Sequence, residues 1–280
     1  MQRVTAPRAT WSPRPVSSRH NALVEEYRRL GHRPRPGETR ILLDGLHLVQ
    51  DARRAGLPIL SAAVTTARLR EPGIAHEAEA LAAAGVDVFA VSEPVLAWMS
   101  PVRTPSGIVA IAKRSPVPLE RAFATRPALV VVAIDVQDPG NVGALVRAAE
   151  AGRATGIIAA GASADPFSWK SLRGSMGSAF RLPIASGLRC ADAVGIARHH
   201  GLQIVATDPR GGRSLFEVNL KPPTALVIGN EGSGLPPDLA ASADALVTIP
   251  MQSPVESLNV AVAGALLVYE AHRQRSTHES

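Results

Sequence analysis

The chain has a single cysteine, Cys190, in 280 residues, which excludes an intrachain disulfide and any cysteine-rich metal site. Its eight histidines fall at no metal-ligand spacing. Only His199 and His200 adjoin, and they are read as part of a solvated helix face. No metal is expected. No run of about eighteen uncharged apolar residues occurs, so no membrane-spanning helix is predicted. The N-terminus lacks the apolar stretch of a secretory signal, which points to the cytoplasm. Internal repeats are missing too.

What is present suits a globular chain of two domains, because 46% of the residues are hydrophobic and the length buries a substantial core. The net charge of +6 is unevenly placed. Residues 1 to 40 hold nine arginines (Arg3, Arg8, Arg14, Arg19, Arg28, Arg29, Arg33, Arg35, Arg40) against three acids (Glu25, Glu26, Glu38), which accounts for the whole excess. Such a stretch offers phosphate contacts, so nucleic acid is the natural partner, with a membrane surface or another acidic partner as alternatives. For residues 1–16 a solvated tail and an organelle transit peptide stay open, although Pro7, Pro13 and Pro15 oppose the amphipathic helix of such peptides.

The pattern predicts an RNA-binding arm over 1–16, an α/β unit over 17–113, a proline-bearing linker over 114–127, a second α/β domain over 128–273 and a polar tail over 274–280. In the first unit, "ILLDGLHLVQDARRAGLPILSAAVTT" reads as a strand, a helix from about Gly45 to Ala55 and a strand near 59 to 65. In the second, "LVVVAID", "GIIAAG", "QIVAT", "ALVIGN" and "ALVTIP" read as apolar strands separated by helices. That order predicts a parallel sheet covered on both faces.

Loops at the carboxyl ends of such strands make the ligand site. The first, "DPGNVGALVRAAEAGR", has a glycine turn but not the G-x-G-x-x-G spacing, and "IAAG" stands where a ribose-binding acid belongs, so a dinucleotide site is disfavoured. It predicts a helix starting at Asn141, with Val142, Leu145, Val146 and Ala149 inward and Arg147 outward, as a solvated arginine would also be. The second, "VIGNEGSGL", sets Gly229, Gly232 and Gly234 around Glu231, as a loop wrapped on a ligand or as a tight connector. The third, "IPMQSPVESLNVAVAGALLVYE", enters a helix with Ser257 and Asn259 near its start, where capping by Ser257 and a satisfied core Asn259 explain both.

Taken together and in this order, the three segments resemble the SpoU/TrmH branch of the SPOUT RNA methyltransferases over the last 150 or so residues. "NALVEEYRRLGHRPRPGETRILLDGLHLVQDARRAGLP" resembles, less tightly, the small ribosomal-protein-like RNA-binding α/β domain that many members carry. The resemblance implies methyl transfer from S-adenosyl-L-methionine to a ribose 2′-hydroxyl of RNA, a homodimer, and a SPOUT domain with a deep trefoil knot. It also implies catalytic roles for Arg147, Asn141, Glu231, Ser257 and Asn259, cofactor contacts at Gly229, Ile249, Met251 and Leu258, and a substrate contact at Arg173. Ribosomal RNA is the expected substrate. Transfer RNA, a non-catalytic RNA-binding protein of the same fold and a nucleotide-dependent oxidoreductase are the alternatives.

Overall fold

A computed structural model describes residues 11–35, 37–114, 117–208, 211–230 and 232–276. The chain divides into two units, Met1–Ser115 and Pro116–Ser280. The first holds β1 (Arg14–Val16), α1 (Ala22–His32), β2 (Arg40–Asp44), α2 (Leu46–Arg54), β3 (Ile59–Thr65), α3 (Pro72–Ala83), β4 (Asp87–Val91), α4 (Glu93–Met99) and β5 (Ile108–Lys113). Its sheet has the order β1-β4-β3-β5-β2. Strands β1, β4 and β3 run parallel, whereas β5 is antiparallel to both of its neighbours.

α1 forms where Asn21 caps it, its side-chain oxygen accepting from the Leu23 amide at 2.9 Å. Val24, Tyr27 and Leu30 then recur at helical spacing and bury against Leu42, Ala63, Leu96, Met99 and Val109. Strand β1 lies within the stretch expected to be an arm: Arg14–Val16 pair with Phe89–Val91, and Arg14 meets Asp87 at 3.2 Å. Residues 1–10 of that stretch lie outside the described residues. The arginine excess is also partly internal. Arg29 and Arg40 hold Glu38, and Arg40 also holds Glu26, so these cations face acids of their own stretch.

The second unit holds α5 (Arg121–Ala124), β6 (Leu129–Ile134), α6 (Pro139–Ala151), β7 (Gly156–Ala160), α7 (Trp169–Ser175), β8 (Ile184–Leu188), α8 (Cys190–His199), β9 (Gln203–Thr207), β10 (Arg213–Ser214), β11 (Thr224–Ile228), α9 (Pro237–Ala241), β12 (Ala245–Thr248) and α10 (Val260–Ser276). Its seven strands run in the order β10-β12-β9-β11-β6-β7-β8, and every neighbouring pair is parallel. Side chains alternate between faces. Val130, Val132 and Ile134 of β6 join Ala193, Val194 and Ala197 of α8 on one side. Leu129, Val131 and Ala133 are equally buried on the other, where α6 and α10 pack on each other. A parallel sheet buried on both faces needs continuous apolar strands, which is what the sequence supplies.

Two predicted boundaries move. The stretch expected to be a linker folds from residue 117 into the second unit: Ala122 and Phe123 of α5 are buried in its core. Phe123 stacks on His200 at 4.1 Å between ring centroids, so that histidine is half-buried rather than part of a solvated face. The tail begins later than 274, because α10 continues to Ser276. Gln274 donates to the Val218 carbonyl at 2.9 Å, and Arg275 donates to the carbonyls of Pro127, Ala128, Leu220 and Pro222. Those carbonyls precede β6 and β11, so one guanidinium ties the entry ends of two adjacent strands.

Glu38 supplies a test of the first unit. Side-chain hydrogen bonds from Arg40, joined by Arg29, outweigh partial burial and hold its carboxyl at about 2 rather than the usual 4.5. A depressed carboxylate contributes stability that is present above its unfolded value and is lost as pH falls toward its folded value. Glu38→Gln is therefore expected to destabilise the chain by about 1–2 kcal/mol at neutral pH. Denaturant titrations should show that difference shrinking from about pH 4.5 downward.

Candidate active site

Parallel strands place the loops after β6, β9, β11 and β12 at one edge of the sheet. After β6, Asp135 takes φ 55° and its Oδ1 accepts from the Ala162 amide at 2.7 Å. Asp138 caps α6, accepting from the Asn141 amide at 2.9 Å, with Pro139 at the first helical position. The helix thus starts two residues before Asn141. Its buried face is Val142, Leu145, Val146 and Ala149, as the spacing predicts, and Arg147 is exposed. α7 crosses close by, because a Cβ on Gly143 would stand 2.3 Å from the Ser171 carbonyl oxygen. Arg173 is exposed in the last turn of α7.

The loop after β11 is organised by Asn230, which the sequence did not single out. Its Oδ1 accepts from the amides of Gly232 at 2.8 Å and Ser233 at 3.2 Å. Its Nδ2 donates to the Asp135 carbonyl at 2.9 Å, and its backbone pairs with that of Gly234. Of the three glycines, only Gly234 needs positive φ, at 69°. Gly229 is required for space, since a Cβ there would lie 2.5 Å from the Gly234 carbonyl carbon. Glu231 lies outside the described residues.

After β12 the chain runs without regular structure to Asn259, which is the true start of α10. Asn259 Oδ1 accepts from the Ala261 amide at 2.9 Å and the Val262 amide at 3.4 Å, so the capping role expected of Ser257 belongs to Asn259. Its Nδ2 donates to Asn141 Oδ1 at 3.0 Å. One exposed side chain therefore fixes α10 and reaches the first turn of α6.

Gly229, Ile249, Met251, Ser257 and Leu258 line one cavity of about 250 Å³. Ile228, Leu235 and Val260 add apolar wall, while Asn230, Gly232 and Ser233 bring peptide groups. Thr207 and Asp208, at the end of β9, also line it. "QIVATD" carries that signal, since the strand-end rule that picks out the other loops applies equally to this one. Apolar walls with converging peptide groups suit a ligand that has a flat ring and a polar edge. Arg147 and Arg173 are not part of this lining and stand on α6 and α7 instead. Among the described residues no group of three or more His, Cys, Asp or Glu side chains is placed to hold a metal ion.

A parallel sheet whose carboxyl-edge loops enclose such a cavity defines an α/β cofactor-binding domain, here coupled through Asn259 and Asn141 to a helix that presents an arginine. Residues 128–269 match the model of the SpoU rRNA methylase family, and residues 21–110 match the MRM3-like substrate binding domain. The chain belongs to the SpoU rRNA methylase family. An uncharacterized tRNA/rRNA methyltransferase of Synechocystis is 34% identical over 267 residues, which cover 93% of this chain and 94% of that protein. The 23S rRNA (guanosine(2553)-2′-O)-methyltransferase RlmP of Bacillus subtilis is 29% identical over 255 residues, 91% of this chain and 97% of its own. The crystal structure of an AdoMet-bound rRNA methyltransferase from Sinorhizobium meliloti matches with a TM-score of 0.82 at 33% identity, covering 93% of this chain and 97% of that one.

Gly229→Ala tests the loop. Its methyl group would force apart two backbone segments, and overpacking of this kind costs about 1–3 kcal/mol. Calorimetry is expected to show affinity for S-adenosylhomocysteine falling about tenfold or more, with the first unit's folding unaffected.

Proposed function

We propose that this protein methylates a ribose 2′-hydroxyl of ribosomal RNA, using S-adenosyl-L-methionine. The observation that carries the reading is the Asn259–Asn141 hydrogen bond, which joins the helix lining the cavity to the helix that bears Arg147. The ribosomal substrates printed in the names of RlmP and the Sinorhizobium enzyme support it, as does the AdoMet bound by the latter.

S-adenosyl-L-methionine supplies a methyl group already activated by its sulfonium, so the protein's task is to bind, to orient and to manage the ribose oxygen. Gly229, Ile249, Met251 and Leu258 hold the cofactor in the cavity. A guanidinium carries a permanent positive charge, so Arg147 stabilises negative charge on the ribose oxygen and positions phosphate rather than removing the proton. Water or an RNA phosphate takes that proton. Asn141 and Asn259 orient one another and the first turn of α6, Ser257 stands at the cavity wall, and Glu231 and Arg173 complete the reading as orienting and substrate-contacting residues. No metal is needed for this chemistry.

Residues 17–113 bind the RNA in this reading, with residues 1–16 as an added arm. Arg19, Arg33 and Arg35 are exposed, and Arg28 lies 3.4 Å above the Trp98 ring centroid. The protein acts in the cytoplasm as a homodimer, with the C-terminal domain knotted as in its family. A second copy is supported by Val262, Leu266 and Tyr269, which are 49%, 42% and 51% exposed at i, i+4 and i+7 along α10.

Label transfer from tritiated cofactor to total RNA tests the activity. Wild type is expected to label ribosomal RNA, and Arg147→Ala to lose about a hundredfold or more in rate while binding S-adenosylhomocysteine normally. Cofactor binding with no label transferred to any RNA would overturn the reading, and label confined to transfer RNA would reassign the substrate. For the dimer, sedimentation should find wild type at twice the chain mass and Leu266→Arg as a monomer with little activity. A fully active wild-type monomer would end that part.

A further inference from the structure

Arg147 has an acidic neighbour on its own helix. Glu150 stands three residues further along α6, on the adjoining surface, where a carboxylate is the natural partner of a guanidinium. That pairing is not made. Arg181, just beyond the short helical turn Ser178–Phe180, takes both Glu150 oxygens, Nε donating to Oε1 at 2.6 Å and Nη2 to Oε2 at 2.8 Å. Partial burial raises the Glu150 carboxyl, but hydrogen bonds from Arg181 and Ser178 outweigh it and hold the group below its ordinary value. The carboxylate is therefore charged at neutral pH.

The pair contributes little to folding as an ordinary surface contact. The two side chains are 46% and 28% exposed, and ion pairs of that kind are screened by water. Its position matters more. Left alone, Glu150 would compete with RNA for Arg147 and would also set a negative charge beside the path of the phosphates. Among the described residues Arg147 makes no ion pair.

We propose that Arg181 is a positioning residue that sequesters Glu150 and so leaves Arg147 available to the substrate. The inference rests on the role given to Arg147 under the proposed function. It assigns Arg181 no contact with RNA or cofactor. It acts through Glu150.

The test is a rescue. Arg181→Gln is expected to slow methyl transfer to total RNA from cells lacking the gene by about threefold. Affinity for S-adenosylhomocysteine and the thermal midpoint should not change. Adding Glu150→Gln in the same chain removes the competing charge and should return the rate to that of wild type. A defect that persists in the double variant, or that tracks a loss of cofactor affinity, would show a packing role and overturn the proposal, as would an Arg181→Gln variant with undiminished rate. If Arg181→Gln folds poorly, Arg181→Lys, which keeps a cation but not the two-pronged contact, takes its place beside its own double with Glu150→Gln. Wild type that labels no RNA, or Arg147→Ala at full rate, overturns the underlying reading instead, and both are seen before any Arg181 variant is measured.

Discussion

The carboxamide of Asn230 is the contact on which the rest of the site depends. Its oxygen gathers the Gly232 and Ser233 amides, and its nitrogen donates to the Asp135 carbonyl. The first pair of bonds gives the loop after β11 its shape. The last anchors that shape to the end of β6, immediately before the helix of Asn141 and Arg147. A buried or half-buried amide group with its donors and acceptors matched in this way has one favourable orientation, because each unmade bond costs more than a made one gains. The loop is consequently positioned by the strand edge rather than by its own glycines, of which Gly229 supplies clearance and Gly234 a positive φ.

From that edge the remaining geometry follows from the parallel sheet. Every strand of the second unit delivers its carboxyl end to the same side, so loops far apart in sequence are brought together there. Asn259 and Asn141 are 118 positions apart yet meet at 3.0 Å. Arg275 performs the matching task at the opposite edge, where its donors hold the carbonyls that precede β6 and β11. Burial lowers its pKa, the expected direction for a cation drawn out of water, and four carbonyl acceptors compensate it.

Much of this was legible in the sequence, for identifiable reasons. The apolar strands β6, β7, β9, β11 and β12 are short continuous runs bounded by turn residues, and the inward face of α6 follows helical spacing. What escaped was structure made by single polar atoms or by weak local signals. β8, "IASGL", carries two small residues and a glycine, a weak strand signal, yet it pairs with β7. α5 is one turn long and lies in a proline-bearing stretch, so only the burial of Phe123 reveals that it belongs to the core. In "SLN" both Ser257 and Asn259 are good caps, and the choice between them is made by a partner on another helix, which local sequence does not contain. Asn230 was hidden for the same reason, since its side-chain nitrogen donates across 95 residues to the Asp135 carbonyl.

Strand β1 has a bearing on how the first unit behaves among other copies of itself. Without it, the sheet would end on β4, five residues of unpaired backbone able to template another strand. β1 covers that rim and offers a poor rim in return: three residues, of which Pro15 has no amide hydrogen. A chain trimmed back to α1 would therefore present a fresh, longer edge, and its first symptom would be clumping in solution rather than any change in what it binds.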